Sequence, residues 1–217
     1  MEKTKNLIDD WSNFGLSFLK ISELACKEMD EAPNKNKKEK VLDLFIPTIF
    51  NIKYGIEIFL KCFIVMLEEK ELVEKDFHHD QIELFNKVPS LIEEKRVEQT
   101  IAEKANKNWT ERDLVSVSKR IKILKSKIIN TAVLIGKYYN YPFLEEKLGI
   151  NFSIKDPYNT AFKYPQNKCQ IKIGYGEVLK SINEKDIRNL CIDTIRLQKE
   201  LIFLWIIIKK YIEIKNR

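Results

Sequence analysis

Lys53, Glu57 and Lys61 stand four residues apart in a segment that is otherwise almost wholly apolar. On an α-helix that spacing stacks them on one face, an ammonium, a carboxylate and a second ammonium on successive turns. Ammonium groups can hold phosphate oxygens and a carboxylate can move a proton, so the row suits an anion-binding groove or acid–base work on a phosphodiester. A second set lies at Phe77-His78-His79-Asp80, just ahead of Gln81-Ile82-Glu83-Leu84-Phe85. Imidazole titrates near neutral pH, which fits His79 for proton transfer and His78 for a phosphate contact. The same residues also fit a plainer part, with a histidine or Asp80 capping the next helix while Ile82 and Phe85 pack inward. A third set interleaves Tyr138, Tyr139, Tyr141, Phe143, Phe152, Tyr158, Phe162 and Tyr164 with Lys147, Lys155 and Lys163. Alternating aromatic and basic residues can stack bases and hold phosphates, or simply pack their own segment onto a core.

The elements that must position these groups are helical. Around the row, Phe50, Ile52, Ile56, Ile58, Phe59, Leu60, Phe63 and Ile64 make the segment apolar nearly all round, so it must be a central helix. Burying three charges in a dry core costs several kcal/mol per ion. The row is therefore expected to line solvent, as intrahelical Lys–Glu pairs, or a wet or ligand-filled cleft.

The first helix is expected over 4–29, where Leu7, Trp11, Phe14, Phe18, Ile21 and Ala25 recur at steps of three and four. A polar, basic loop at 32–38 breaks it. The central helix follows over about 41–70, bent or restarted near Pro47. A helix near 80–88 ends or kinks at Pro89, and another covers 90–105. Thr110 can cap a helix that carries Leu114, Val117, Ile121, Leu124, Ile128 and Leu134 and stops at Tyr141-Pro142. Residues 141–182 concentrate proline, glycine and aromatic residues without a helical period, and form a long irregular insertion. Asn183, with Asp186 three residues on, can start the last helix, which runs to about Lys215. Phe203, Leu204 and Ile207 on that helix suit an outer apolar face for a second copy or a partner subunit.

Composition agrees with an all-α helical bundle forming a single domain over 1–217. Six glycines and six prolines are too few for the turns of a β-sandwich, and 44% hydrophobic residues suffice for a sizeable core. The net charge of +6, from 38 basic and 32 acidic residues, permits an RNA or an acidic protein partner, but the charges are interspersed. Cys26, Cys62, Cys169 and Cys191 lie far apart with no CxxC pair, so neither a metal nor a cofactor is expected. Cys62 and Cys191 fall in apolar helical stretches and suit reduced, packed thiols. The apolar stretches at 44–67 and 201–208 are interrupted or short against the roughly 20 uncharged residues of a span, and no short apolar leader follows Met1. A cytoplasmic protein without a membrane segment is expected. No Gly-rich phosphate loop, Gly-x-Ser-x-Gly elbow or His-Glu-x-x-His helix is present. The acidic pairs Glu68-Glu69, Glu93-Glu94 and Glu145-Glu146 are expected at exposed positions or helix ends.

Three patches together resemble the HEPN superfamily, helical domains of prokaryotic toxin–antitoxin and antiviral systems. Glu57-Ile58-Phe59-Leu60-Lys61 is similar to the family's E-x-x-L-K segment, and His79-Asp80-Gln81-Ile82-Glu83-Leu84-Phe85 to its His-Asp-Leu-x-x-Leu segment. Phe162-Lys163-Tyr164-Pro165 resembles a Phe-Arg-Tyr-Pro element of one branch, with Lys163 in place of arginine. The resemblance covers about 40–205. It implies a bundle of four or five helices, frequent dimerisation, and RNA binding or metal-independent RNA cleavage.

The family's nuclease motif, an arginine followed after four to six residues by a histidine, is absent. The only histidines are His78 and His79, and the first arginine is Arg96. Arg188-Asn189-Leu190 is similar to the start of that motif, but no histidine follows it. The expectation is a HEPN-like protein of a defence or toxin–antitoxin system that binds RNA or a nucleotide without standard nuclease chemistry, Lys53, Lys61, His78 and Lys163 making the phosphate contacts. One alternative is a divergent metal-independent ribonuclease using His79 with Glu57 or Tyr164. Another is a non-catalytic subunit that dimerises or docks a partner protein.

Overall fold

The computed structural model describes residues 2–69, 81–108, 115, 119, 123–139 and 182–216. Among these the secondary structure is all α: α1 (Glu2–Glu31), α2 (Asn34–Glu68), α3 (Gln81–Glu94), α4 (Val97–Asn108), α5 (Leu124–Tyr139) and α6 (Glu184–Lys215). They pack as one helical bundle. The region 141–182, expected as an irregular insertion, and the expected helix start at Thr110 lie outside the described residues.

α1 and α2 form an antiparallel pair held at very short range. A Cβ added at Gly55 would stand 2.9 Å from Leu19 Cγ and 3.0 Å from the Gly15 carbonyl oxygen, and one at Gly15 would meet Ile58 and Phe59. The two glycines let the backbones approach so closely that larger side chains would not fit between them. Ser22, further along α1, bonds the Phe18 carbonyl within its own helix and reaches the Thr48 carbonyl at 3.3 Å. α6 lies against α1, α2, α4 and α5. Its Leu197, Leu201, Leu204 and Ile208 join Phe45, Ile49, Ile56, Phe59 and Phe63 of α2 in the core. Asp9 accepts from Lys209 at 2.8 Å, clamping the start of α1 to the far end of α6.

Several expected boundaries move, each for a local reason. The basic loop shrinks to Ala32 and Pro33, because α2 already begins at Asn34. Lys37 donates to the Asp30 carbonyl and pairs with Glu184, which ties that first stretch of α2 to α1 and α6. Pro47 sits inside α2 and Pro89 inside α3, and neither ends its helix. The break falls instead at Lys95–Arg96. Arg96 adopts φ 49°, its N–H bonds the Glu93 carbonyl, and its own carbonyl accepts from Thr100 to open α4. The turn lets Val97 and Ile101 join the core that Leu91 and Ile92 already line.

The start of α6 agrees with the sequence. Asn183 Oδ1 accepts from the Asp186 N–H at 3.0 Å and Asp186 Oδ2 accepts from the Asn183 N–H at 2.9 Å, a reciprocal capping box. Asn183→Ala is expected to lower stability by about 1 kcal/mol, to be checked by urea denaturation; an unchanged midpoint would show that the cap contributes nothing.

Two expected surfaces are corrected. Leu204 and Ile207 are buried and Phe203 is half-buried, so they do not form an outer apolar face on α6. Their positions fall on the side that α6 turns to its neighbours. On α1 the packed face is Ser12, Gly15, Leu19, Ser22, Cys26 and Met29, while Phe14 and Ile21 of the large apolar stripe point outward. The side chain of Leu7 lies outside the described residues.

Candidate functional site

The row on α2 is inside the protein. Lys53 is 1% exposed, Glu57 4% and Lys61 6%, which excludes a solvated outer stripe. Burial follows from the position of α2, whose Ile52, Ile56, Ile58, Phe59, Leu60, Cys62, Phe63 and Ile64 are all buried too. A helix enclosed on every side takes its polar face into the interior with it. Lys61 Nζ donates to Glu57 Oε1 at 2.7 Å, so the one-turn spacing produces a close intrahelical pair shielded from water. Such a pair is far less screened than its surface counterpart, and each ion has lost most of its hydration.

The second component is Gln81, the first residue of α3 and 1% exposed. Its Nε2 donates to the Lys53 carbonyl oxygen at 2.6 Å, docking the start of α3 on the turn that carries the row. Glu68 and Lys87 tie α2 to α3 again at 2.6 Å. With the amide nitrogen so engaged, Gln81 Oε1 has no hydrogen-bond partner among the described residues. A buried acceptor left unpaired costs about 1–3 kcal/mol. The positive pole of the α3 dipole therefore lies close to the row, which favours negative charge nearby.

Lys53, Glu57 and Lys61 are thus brought together, and Gln81 joins them. His78, His79, Lys163 and Tyr164, expected to complete the site, lie outside the described residues, as does Cys169. Arg188 is exposed on α6, away from the core. Glu69, Glu93 and Glu94 are exposed and Glu68 is the last residue of α2, as expected; Glu68 is half-buried against Lys87. No group of three or more His, Cys, Asp or Glu able to hold a metal occurs among the described residues. No described helix is long and apolar enough to cross a membrane.

Sequence reasoning missed two features. Gln81 lies in the stretch from His79 to Phe85, but nothing local marks its carboxamide as a partner for the Lys53 carbonyl 28 positions earlier. The second is an ion pair at the α5–α6 contact, Lys127 Nζ to Glu200 Oε1 at 3.0 Å, with Glu200 almost fully buried and its Oε2 unpartnered among the described residues. Lys127 also lies 5.8 Å above the Phe203 ring. With the partners 73 positions apart, no spacing rule links them.

The described cysteines are free. Burial pushes the Cys62 thiol up to about 12, and burial together with the neighbouring Cys191 thiol does the same to Cys26. Cys191, half-buried, is raised by burial and then by Asp30. Cys26 and Cys62 are expected to resist iodoacetamide in the folded chain and to react once it is denatured. Because their folded values exceed the ordinary thiol value of 9.0, the contribution to stability is complete below that value and is lost as pH rises towards about 12. Mass spectrometry of the alkylated native protein checks this; rapid labelling of either thiol would contradict it.

No family model matches the chain, and neither the curated proteins nor the solved structures contain a match to it.

Proposed function

We propose that this chain is a HEPN-like helical protein of a prokaryotic defence or toxin–antitoxin system that binds RNA or a nucleotide through the polar row of α2. The observation that carries the proposal is the interior placement of two ammonium groups and one carboxylate on consecutive turns of the central helix, beside a Gln81 acceptor with no described partner. Buried charges gathered on one face are expensive to desolvate, which supports reading the row as a functional site rather than as packing alone. The chemistry fits a phosphate held by Lys53 and Lys61 and a sugar hydroxyl or base N–H donating to Gln81 Oε1. Since the row is shielded, binding entails displacement of the groups that cover it, and association is expected below the usual 10⁵–10⁷ M⁻¹s⁻¹ range, on the order of 10⁴ or slower.

Filter binding of labelled RNA and of mononucleotides at low salt tests this. Retention is expected, falling as salt rises, and Lys61→Ala and Lys163→Ala are expected to reduce it. Absence of retention for every RNA and nucleotide at low salt would overturn the proposal.

A further inference from the structure

Cys26 and Cys191 belong to α1 and α6, the first and last helices, yet their thiols share a hydrogen bond. Two further contacts fix this pairing. Thr194, three residues after Cys191, has its hydroxyl 4.0 Å from Cys26 Sγ. Asp9 and Lys209 meet at 2.8 Å near the other end of the same antiparallel contact. Cys26 is 17 residues beyond Asp9 and Cys191 is 18 residues before Lys209. At 1.5 Å per residue the two cysteines therefore come level to within about 1.5 Å. Cys26 is completely buried, whereas Cys191 is half-buried. Glu23, Lys27 and Asp30 of α1 border the Cys191 thiol. One thiol is thus open to a small solute, and the second waits beneath it.

We propose that Cys26 and Cys191 form a redox site, oxidised by a peroxide to a disulfide that locks the first helix to the last. The Cys191 thiolate attacks one oxygen of hydrogen peroxide and the O–O bond breaks. Cys191 becomes a sulfenic acid, and the departing hydroxide takes up the proton that Cys191 shed to become water. Cys26 Sγ then attacks Cys191 Sγ, losing its proton as the S–O bond breaks and a second water departs. Two electrons pass from the sulfurs to the peroxide, and a dithiol returns them. The sulfurs close to the roughly 2.05 Å of the bond by side-chain rotation. Burial first, with Asp30 adding, raises the Cys191 thiol, while Lys27 lowers it. Thiolate is scarce at neutral pH, so the site responds over about minutes to hours. The inference is independent of the binding proposed for the α2 row.

The full-length chain is held in millimolar hydrogen peroxide, unfolded, alkylated and read by mass spectrometry of its tryptic peptides. The expected product links Cys26 to Cys191 within one chain, and dithiothreitol reverses it. Cys62→Ala and Cys169→Ala are expected to leave the link intact. In Cys26→Ala, Cys191 is expected to stop at the sulfenic acid, which dimedone traps; in Cys191→Ala, Cys26 is expected to stay reduced. Oxidation is expected to raise the urea midpoint of the wild type by about 1 M or more, a comparison that needs no variant to fold. A link from Cys191 to Cys169 or to a second chain, no link after a day in peroxide, a sulfenic acid on Cys26 in Cys191→Ala, or a linked chain with an unmoved midpoint would overturn the proposal.

Discussion

Glu57→Ala is expected to lower the stability of the fold by about 3–5 kcal/mol, the range for removing one partner of a buried ion pair. The carboxylate faces the Lys61 ammonium at 2.7 Å and both side chains are almost completely withdrawn from water. Alanine leaves the ammonium in the same enclosed place without the charge that faced it, and adds a cavity. The double substitution Glu57→Leu with Lys61→Met removes both charges at similar volume and is expected to be neutral or stabilising. The contrast between the two variants separates the cost of removing the Glu57 charge from that of lost packing. Guanidinium denaturation measures both. A Glu57→Ala loss within about 0.5 kcal/mol of zero, the size of an ordinary surface change, would show that the row is hydrated after all.

Gly55→Ala is expected to destabilise by about 1–3 kcal/mol through overpacking, even though alanine gains about 1 kcal/mol in helix propensity. The new methyl group would meet Leu19 Cγ at 2.9 Å and the Gly15 carbonyl at 3.0 Å, and a backbone oxygen cannot rotate out of the way. α1 and α2 must then separate along their whole contact, so Gly55→Val is expected to cost more. Gly136 in α5 supplies the control: among the described residues a Cβ there meets nothing within 4 Å. Gly136→Ala is accordingly expected to stabilise by about 0.4–1 kcal/mol. Should Gly55→Ala stabilise as Gly136→Ala does, the close crossing of α1 and α2 would be wrong.

What the sequence makes legible is what local chemistry decides. The capping box at Asn183 and Asp186 needs only residues three apart, and the structure places it where that pattern says. The spacing of Lys53, Glu57 and Lys61, and the apolar surround that makes α2 central, are equally local. What stays hidden depends on distant partners. Trp11, Phe14, Phe18, Ile21 and Ala25 follow the same steps of three and four as the set from Ser12 to Met29. Periodicity identifies stripes but does not say which of them a neighbour accepts. The close approach of Gly15 to Gly55 selects the small one. Pro89 looks like a helix end, yet the break occurs at Arg96, a left-handed residue with no glycine to announce it. Lys–Asn runs such as 34–38 look like loop until Asp30 and Glu184 are there to receive Lys37. Two-sided burial of α2 decides the fate of the charged row, and a sequence offers that only as one of two outcomes.

Fluorescence anisotropy of labelled RNA against the triple variant Lys53→Met, Glu57→Leu, Lys61→Met tests the role of the row most directly, because those substitutions keep volume while removing every charge. The expected result is a folded protein, as stable as the wild type or more so, whose affinity for RNA or nucleotide falls about tenfold or further, at least 1.4 kcal/mol. A folded triple variant that binds as tightly as the wild type would reduce the row to a feature of the core and remove the site from α2.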